Sequence, residues 1–254
     1  MNLLVQKGSF DYYRELVSTA LTLGIDCKVF KYIPFDGSRE GLDNIFAGTV
    51  FPYGSVEFVR YIQNQSWNWL PKIHYNKDNF LFSNYHKEFG IHSIHYDYTV
   101  VGLSEFRDNW AQITDKFKSN GVVFIRPDSN EKEFNGEIVD ISQMRYWLED
   151  TKDLPDVDVV ISKPSKIDSE YRFVVRSGEV VCGSMYRLGG KLTYIKSSVP
   201  DEVKDIAKIW KKEDLYCLDV AKTASGYKVV EISSVNCSGL YAIDLGTFLM
   251  EIFR

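Results

Sequence analysis

The sequence has 254 residues, a formal net charge of −5 and a hydrophobic fraction of 44%. A chain of this length can bury roughly three quarters of its unfolded surface, which predicts a globular protein of one large or two small domains. The acidic balance gives no support to a nucleic-acid coat or to a binder of anionic membranes. No apolar run reaches the roughly 20 residues of a membrane-spanning helix, and the first residues do not resemble a signal peptide. Four widely spaced cysteines without a CxxC pair are typical of reduced thiols in a cytoplasmic protein.

The chain opens with a predicted strand, helix and strand. Residues 3–6 and 27–33 have the composition of short buried strands, and residues 13–21 between them have helical periodicity. Ser9 is a candidate N-cap for this helix, and Gly24 ends it. A β-α-β opening predicts a small parallel sheet.

The next segment is harder to interpret. A strand at 49–51 leads to Ser55, a good N-cap for a helix over 56–62. Residues 64–100 are rich in aromatic residues, Asn and His and lack a clean period. We therefore expect irregular structure with short strands there. This segment would be the linker within an N-terminal α/β domain at 1–103, which is followed by a second domain at 104–254.

The second half has clearer patterns and predicts an α+β domain. The predicted elements are, in chain order, a helix from Ser104 to 117, a strand at 122–125, a polar loop, a helix from Ser142, strands at 157–162, 170–177, 179–187 and 191–195, a helix from Pro200, a hairpin of 215–221 with 227–232, and a final helix at 243–253.

Charged side chains stand at or near the ends of several of these strands. They are Arg126, Lys132, Lys163, Glu170, Arg172, Asp219 and Glu231. A triphosphate needs Arg or Lys donors, and Mg²⁺ binds carboxylate oxygens together with phosphate oxygens. Taken singly, each residue is more simply a solvated charge or one half of a cross-strand ion pair. Their joint order along the strands favours a nucleotide site.

Three segments carry a family resemblance. They are VVFIRPDSNEKEFNG, VVISKPSKIDSEYRFVVRSGEVVCGSMYR and CLDVAKTASGYKVVEISSVNCSGLY. Together they resemble the core of an ATP-grasp domain, and most closely the phage-associated clade named for one arginine and two lysines. The resemblance implies an ATP-grasp fold of two α+β lobes with antiparallel sheets, preceded by a small α/β domain like the pre-ATP-grasp domain of relatives.

The same resemblance assigns residues to the nucleotide. Arg126 would contact phosphate, and Lys132 would lie in the flexible loop that closes over the β- and γ-phosphates. Lys163 would reach adenine or the α-phosphate. Glu170 would bind the ribose or orient a neighbouring cation, and Arg172 would face the phosphates and the acyl-phosphate. Arg172, Lys132 and Arg126 are thus the predicted catalytic residues.

A metal site is also implied. Asp219, Glu231 and Asn236 would hold Mg²⁺, as one or two ions. Many relatives have Asn two positions after the metal Glu, where this chain has Ser233. That departure leaves the number of ions open.

The expected activity is an ATP- and Mg-dependent ligation of a carboxylate to an amine or thiol, through an acyl-phosphate, with release of ADP and phosphate. The acceptor can be a peptide, a protein or a modified nucleic acid. Tyr186, Arg187 and Tyr241 are candidates to shape the acceptor pocket, although packing alone also explains the aromatic residues. A bacterial or phage-infected cytoplasm is the expected setting.

Three other interpretations stay open at this point. The fold can serve as a non-catalytic nucleotide-binding module, which Ser233 favours. Nucleotidyl transfer to a nucleic-acid end would release AMP or pyrophosphate in place of ADP, but the chain has no basic stripe. A metal site is a further option for the four clustered histidines, whose spacing matches no standard zinc motif. These are His74, His86, His92 and His95.

Overall fold

The structure, a computed structural model, describes residues 1–33, 42, 45–131 and 133–254. The first half of the chain contains β1 (Asn2–Gln6), α1 (Tyr13–Thr22), β2 (Cys27–Phe30), β3 (Thr49–Tyr53), α2 (Val56–Gln63), β4 (Leu70–Pro71), α3 (Phe82–Phe89), β5 (Tyr98–Gly102) and α4 (Leu103–Asp115). The second half contains β6 (Val122–Pro127), β7 (Glu137–Asp140), α5 (Met144–Asp150), β8 (Asp158–Ser162), β9 (Ser169–Arg176), β10 (Glu179–Leu188), β11 (Lys191–Lys196), α6 (Asp201–Ala207), β12 (Leu215–Thr223), β13 (Gly226–Ser233) and α7 (Leu245–Phe253).

The N-terminal strands form a parallel sheet in the order β2-β1-β3-β4. Its central strand β1 carries Leu3, Leu4 and Val5, all fully buried. A strand covered on both faces needs a continuous apolar run, which this segment has. The predicted parallel sheet is therefore present, while its identity as a pre-ATP-grasp domain stays a prediction.

A second sheet is antiparallel and has the order β5-β8-β6-β7. Val123 and Ile125 alternate along β6 and are fully buried in one core with Phe106 of α4 and Trp147 of α5. Since side chains alternate across a strand, this burial turns Arg126 to the opposite face of the sheet. The apolar core thus fixes the direction of the first predicted site residue.

The third sheet has five strands in the order β11-β10-β9-β12-β13. Tight turns join β9 to β10, β10 to β11 and β12 to β13, and Ser177, in the first of these turns, has a φ of 49°. The two hairpins match the predicted elements within a few residues. This sheet carries most of the remaining candidate residues.

The chain forms two compact units. The first comprises Met1–Tyr75, Tyr171–Leu218 and Ser233–Arg254, and the second comprises Asn76–Glu170 and Asp219–Ile232. Three of the four unit boundaries fall inside strands, namely β9, β12 and β13, and the fourth follows Tyr75, between β4 and α3. The division of the sequence into domains at 1–103 and 104–254 stays a prediction. Among the described residues, no helix is long and apolar enough to cross a membrane.

Some local predictions need correction. Ser55 caps α2 as predicted, accepting a hydrogen bond from the amide of Phe58 at 3.2 Å. Ser104 does not cap α4, because the helix begins one residue earlier and the Asp156 carboxylate accepts from the Ser104 amide. Ser9 does not cap α1 either, since its hydroxyl donates to the carbonyl of Gln6. Helix α3 lies within the segment that the sequence predicts to be irregular.

Candidate active site

Arg126 and Glu231 form an ion pair in the second unit. The Arg126 Nη2 lies 3.3 Å from the Glu231 Oε1, and the two side chains are 11% and 29% exposed. The guanidinium also lies over the ring of Phe82, with Cζ 4.9 Å from the ring centroid. The arginine is therefore fixed by a ring and a carboxylate, while the carboxylate is the more solvent-accessible member of the pair.

Gly136 allows the chain to pass close to Arg126. A Cβ at position 136 would lie 3.2 Å from the Cβ of Arg126 and 2.9 Å from Phe124 Cζ. Both distances are shorter than ordinary van der Waals contact. A side chain at this position would displace the arginine or its neighbour.

The loop after β6 is attached to both α3 and β13. The Asp128 carboxylate accepts from the backbone amide of Ser83 at 2.6 Å and from its hydroxyl at 2.7 Å. Asn130 donates to the carbonyl of Ile232 at 2.9 Å. Lys132, predicted to close over the phosphates, lies outside the described residues, and its role stays a prediction.

Two further carboxylates of the second unit are buried. Asp219 on β12 is 3% exposed and Glu170 on β9 is 7% exposed. Asp219 and Glu231 stand on adjacent strands of one hairpin. Two carboxylates with room for phosphate oxygens are a donor set that suits Mg²⁺. The residues present therefore fit the predicted ion, and their role as its ligands stays a prediction.

Lys163 and Arg172 differ in their surroundings. Lys163 follows β8 and is exposed. Arg172 lies two positions after Glu170 on β9, so both side chains share one face of the strand, and Arg172 is only 8% exposed. Its Nη1 donates to the carbonyl of Gly239 at 3.0 Å.

Three tyrosines of the first unit stack beside Arg172. The ring of Tyr241 lies 4.9 Å from that of Tyr186 and 5.3 Å from that of Tyr194, at angles of 23° and 18°. The Arg172 Cζ is 5.0 Å from the Tyr241 ring centroid, within the range of a cation–π contact. Tyr241 has a φ of 53°, which a bulky residue adopts only when its surroundings hold it. Arg187, also predicted for the substrate, is exposed on β10.

Asn236 is held in a structural network of the first unit. Its side chain is fully buried. Its Oδ1 accepts from the amide of His74 at 2.7 Å, and its Nδ2 donates to the carbonyls of Pro52 and Lys72 at 2.8 and 3.2 Å. These bonds join the loop after β13 to β3 and give Asn236 a role that needs no metal. Its predicted place among the Mg²⁺ ligands stays a prediction.

Ser233 also has a local partner. Its hydroxyl lies 2.7 Å from that of Ser238, which in turn donates to the carbonyl of Ser234. The position at which many relatives have a metal-binding Asn is thus part of the loop's own hydrogen bonding.

His86 and His95 are packed among aromatic rings. His86 stacks on Phe82, with ring centroids 3.6 Å apart, and His95 stacks on Phe124 at 4.2 Å. Burial lowers the pKa of His95 to about 3 and lowers that of His86 well below its ordinary value. Across the described ranges, no three His, Cys, Asp or Glu side chains are grouped to hold a metal. The histidine metal hypothesis gains no support from this packing.

Sequence reasoning missed three aromatic residues that lie near predicted site residues, two in the second unit and one in the first. Phe82, under Arg126, and its neighbour Tyr85 belong to α3, whose buried positions 82, 85, 86 and 89 do follow a helical period. That signal is aromatic and includes a histidine, so it does not resemble an aliphatic helix face. Tyr194 stands on β11, where alternation alone gives no sign of its partner.

Part of the chain matches the model of a known protein family. A family model for the ATP-grasp domain, the second family of the clade named for one arginine and two lysines, matches residues 105–250. No curated protein matches the chain.

Solved structures of similar fold cover almost the whole chain. The D-cycloserine synthetase DcsG is 12% identical and superimposes with a TM-score of 0.66, covering 100% of both chains. The ATP-grasp ligase PsnB, complexed with minimal precursor, Mg and ADP, is 12% identical with a TM-score of 0.59, covering 99% of this chain and 96% of its own. D-alanine–D-alanine ligase from Bacillus anthracis, complexed with ATP, is 12% identical with a TM-score of 0.60, covering 92% and 85%. At these identities the likeness is one of fold.

Proposed function

Since the chain belongs to the ATP-grasp proteins of the clade named for one arginine and two lysines, we propose that it joins a carboxylate to an amine or thiol with ATP and Mg²⁺, releasing ADP and phosphate. The family match confirms the predicted family, its fold and the ligase class of enzyme. The chemistry of this chain is our proposal. The observation that supports it is the shielded Arg126–Glu231 pair, which holds a cation and a carboxylate 3.3 Å apart.

The proposed reaction has two steps. A carboxylate oxygen of the first substrate attacks the γ-phosphorus, and the bond from phosphorus to the β-phosphate oxygen breaks to give an acyl-phosphate and ADP. The acceptor nitrogen or sulfur then attacks the acyl carbon, loses its proton, and phosphate leaves. Bound Mg²⁺ supplies charge neutralisation for the phosphate oxygens, and Asp219, Glu231 and Asn236 are its proposed ligands.

The protein contributes mainly position and charge. Arg126, Arg172 and Lys132 are the proposed donors to the transferring phosphoryl group, since phosphoryl transfer depends on preorganised cations. Lys163 is proposed to contact adenine or the α-phosphate, and Glu170 the ribose. Holding both substrates correctly is worth on the order of 7–11 kcal/mol of the barrier.

The ion pair suits an exchange of partners. In the protein alone, Glu231 neutralises the shielded Arg126 charge. A phosphate oxygen could replace Glu231 as the partner of Arg126, and Glu231 could then hold the metal. Neither shielded charge would be left without an opposite charge. A pair of this kind therefore binds a metal–phosphate complex in preference to either ion alone.

We propose an amino acid or a peptide as the acceptor. PsnB has been solved with a minimal precursor and the macrocyclase MdnC with its precursor peptide, and both share this fold. Tyr186, Arg187 and Tyr241 are the proposed acceptor contacts, because the stacked rings offer an apolar surface and the exposed guanidinium can bind a carboxylate.

The test is to identify nucleotide products by mass spectrometry. The protein is incubated with ATP, Mg²⁺ and pools of amino acids, peptides and cell extract. Wild type should release ADP and phosphate with one pool, and Glu231→Gln should lose at least about 100-fold in rate because a partner of the phosphates and metal is gone. Glu149→Gln is the matched control, since the Glu149 carboxylate is paired with Lys152 on the surface of α5 and its change should leave the rate unchanged.

Other products would assign other functions. AMP or pyrophosphate would contradict the acyl-phosphate route and favour nucleotidyl transfer. Tight binding of ATP without acceptor-dependent ADP in any pool would favour the non-catalytic binding module.

A further inference from the structure

Helix α3 is attached to both strands that carry the Arg126–Glu231 pair. At its start, the amide of Phe82 donates to the Asp128 carbonyl at 2.7 Å, which joins the helix to the end of β6. One turn later, His86 Nε2 lies 3.2 Å from the carbonyl of Val230, the residue before Glu231. A helix fixed in this way to both strands can hold a side chain in a constant position beside the pair.

Tyr85 is the residue that α3 places there. It is fully buried, and its ring meets that of Phe82 edge-on with centroids 5.7 Å apart, while the Arg126 guanidinium also lies over the Phe82 ring. The Tyr85 hydroxyl has no hydrogen-bond partner among the residues that the structure describes. A buried hydroxyl without a partner destabilises the folded state, so such groups are uncommon and call for an explanation.

The hydroxyl lies in the field of the ion pair. Burial raises the pKa of Tyr85 well above its ordinary value; the positive charge of Arg126 lowers it, and the carboxylates of Glu231 and Asp128 raise it again. The backbone of Ile232 also lowers the pKa, as an N–H directed at the phenolic oxygen does, and such a donor leaves the hydroxyl proton without an acceptor. The phenol therefore keeps its proton at neutral pH and is available as a donor.

We propose that Tyr85 is a positioning residue, whose hydroxyl donates a hydrogen bond to the Glu231 carboxylate when Arg126 turns from Glu231 to a phosphate of bound ATP. This inference rests on the proposed function. In the protein alone, the arginine occupies one glutamate oxygen and the hydroxyl has no acceptor among the described residues. In the loaded protein, the hydroxyl would hold the carboxylate in the direction that the metal requires.

A packing role makes a different prediction. If Tyr85 only filled the core, its hydroxyl would destabilise the fold without contributing to nucleotide binding. Tyr85→Phe would then leave nucleotide binding unchanged. If the hydroxyl donates to Glu231 when nucleotide is bound, Tyr85→Phe should stabilise the nucleotide-free protein and weaken nucleotide binding. Stability and nucleotide binding therefore move in opposite directions only under the proposal.

The experiment compares Tyr85→Phe with Tyr216→Phe. Tyr216 is also fully buried, but its hydroxyl donates to the carbonyl of Ala207 at 3.2 Å in the first unit. Thermal unfolding is measured without nucleotide, and binding of a non-hydrolysable ATP analogue is measured by calorimetry over a series of Mg²⁺ concentrations. Tyr85→Phe should keep or raise the Tm, weaken analogue binding about tenfold, and shift half-maximal binding to higher Mg²⁺. Tyr216→Phe should lower the Tm and leave binding unchanged.

Each other result has one meaning. Unchanged analogue binding in Tyr85→Phe, whatever its Tm, would overturn the proposal and leave the proposed function standing. Wild-type protein that binds no analogue at any Mg²⁺ concentration would overturn the proposed function, and this inference with it.

Discussion

Arg172 is held in place by a carbonyl and an aromatic face together. One nitrogen of its guanidinium donates to Gly239, and its Cζ lies near the ring of Tyr241. Lysine keeps the charge but has neither the planar fork nor the stacking of arginine. At this position the geometry of the cation therefore matters as much as its charge.

The change Arg172→Lys tests that geometry. We expect turnover to fall on the order of 100-fold, because a preorganised donor to the transferring phosphoryl group is lost, while binding of ATP changes much less. Steady-state rates at varied ATP separate the two effects. Arg145→Lys on the exposed face of α5 is the control. Equal losses of ATP affinity and turnover efficiency, with kcat unchanged, would contradict a role in the transition state.

At the scale of single residues, the sequence predicts position better than partnership. The apolar run that precedes Arg126, with Pro127 after it, is enough to place Arg126 near the end of a strand. Nothing local indicates that it meets Glu231, because the two residues are 105 positions apart. Likewise the alternation along β9 predicts that Arg172 and Glu170 share a face, but the acceptor Gly239 belongs to a loop without a periodic pattern.

Among the elements, the loop after β13 depends on two tyrosines from the N-terminal segment. Tyr53 donates to the carbonyl of Ser238 at 2.7 Å, Tyr12 accepts from the amide of Leu240 at 2.7 Å, and the two tyrosine hydroxyls are hydrogen-bonded to each other. Gly239, between those two anchored residues, is the acceptor of Arg172. The segment before α1 and the end of β3 therefore support a predicted catalytic side chain that lies far along the chain.

Tyr53→Phe should reduce both stability and turnover. Removing this fully buried hydroxyl leaves the Ser238 carbonyl without its partner, at a cost of about 1–3 kcal/mol in the free energy of unfolding. Urea denaturation measures that cost, and kcat should fall as Gly239 shifts. Tyr12→Phe and the double variant complete a cycle in which the two changes should be clearly less than additive, because both hydroxyls belong to one network. Additive losses would show that the two tyrosines act separately.

Elements with aliphatic periodicity were predictable, and those built on aromatic residues were not. The strands of the two hairpins and the Ser55 cap follow from alternation and capping preference. Helix α3 has its buried positions at a helical spacing, but its sequence FSNYHKEF lacks leucine, isoleucine and valine. Its stability comes from tertiary contacts such as the Asp128 carboxylate at its first turn, which a single-sequence pattern does not contain.

For the whole molecule, sequence reasoning identified the family because three motif segments occur in the right order between residues 122 and 241, and the family match over residues 105–250 confirms it. It did not predict which segments form each compact unit, since each unit combines segments that are distant in sequence. Such a division depends on which strands pair, and pairing is decided by long-range packing. The same packing removes several titratable groups from water, so the free energy of unfolding should depend on pH.

Stability should fall in mild acid because of two buried histidines. Burial lowers the pKa of His95 to about 3 and that of His86 well below its ordinary value, whereas in the unfolded chain both would titrate near 6.5. Above pH 6.5 neither state takes up the protons, so stability is flat there. Below it the unfolded state alone binds them, and each histidine should lower the free energy of unfolding by about 1.4 kcal/mol per pH unit until its folded pKa is reached.

Urea denaturation at pH 7.0, 6.0 and 5.0 measures this slope. His95→Gln should lower stability at every pH, because the stacking on Phe124 is lost. It should also make the slope of the unfolding free energy against pH shallower by the contribution of about one proton, because glutamine does not titrate. Most carboxylates of the unfolded chain titrate near pH 4, so the steep part of any loss between pH 6.5 and 5 belongs to the histidines. A wild-type curve that stays flat to pH 5 would mean that His86 and His95 become protonated without unfolding, and that the core around Phe82 and Phe124 admits water.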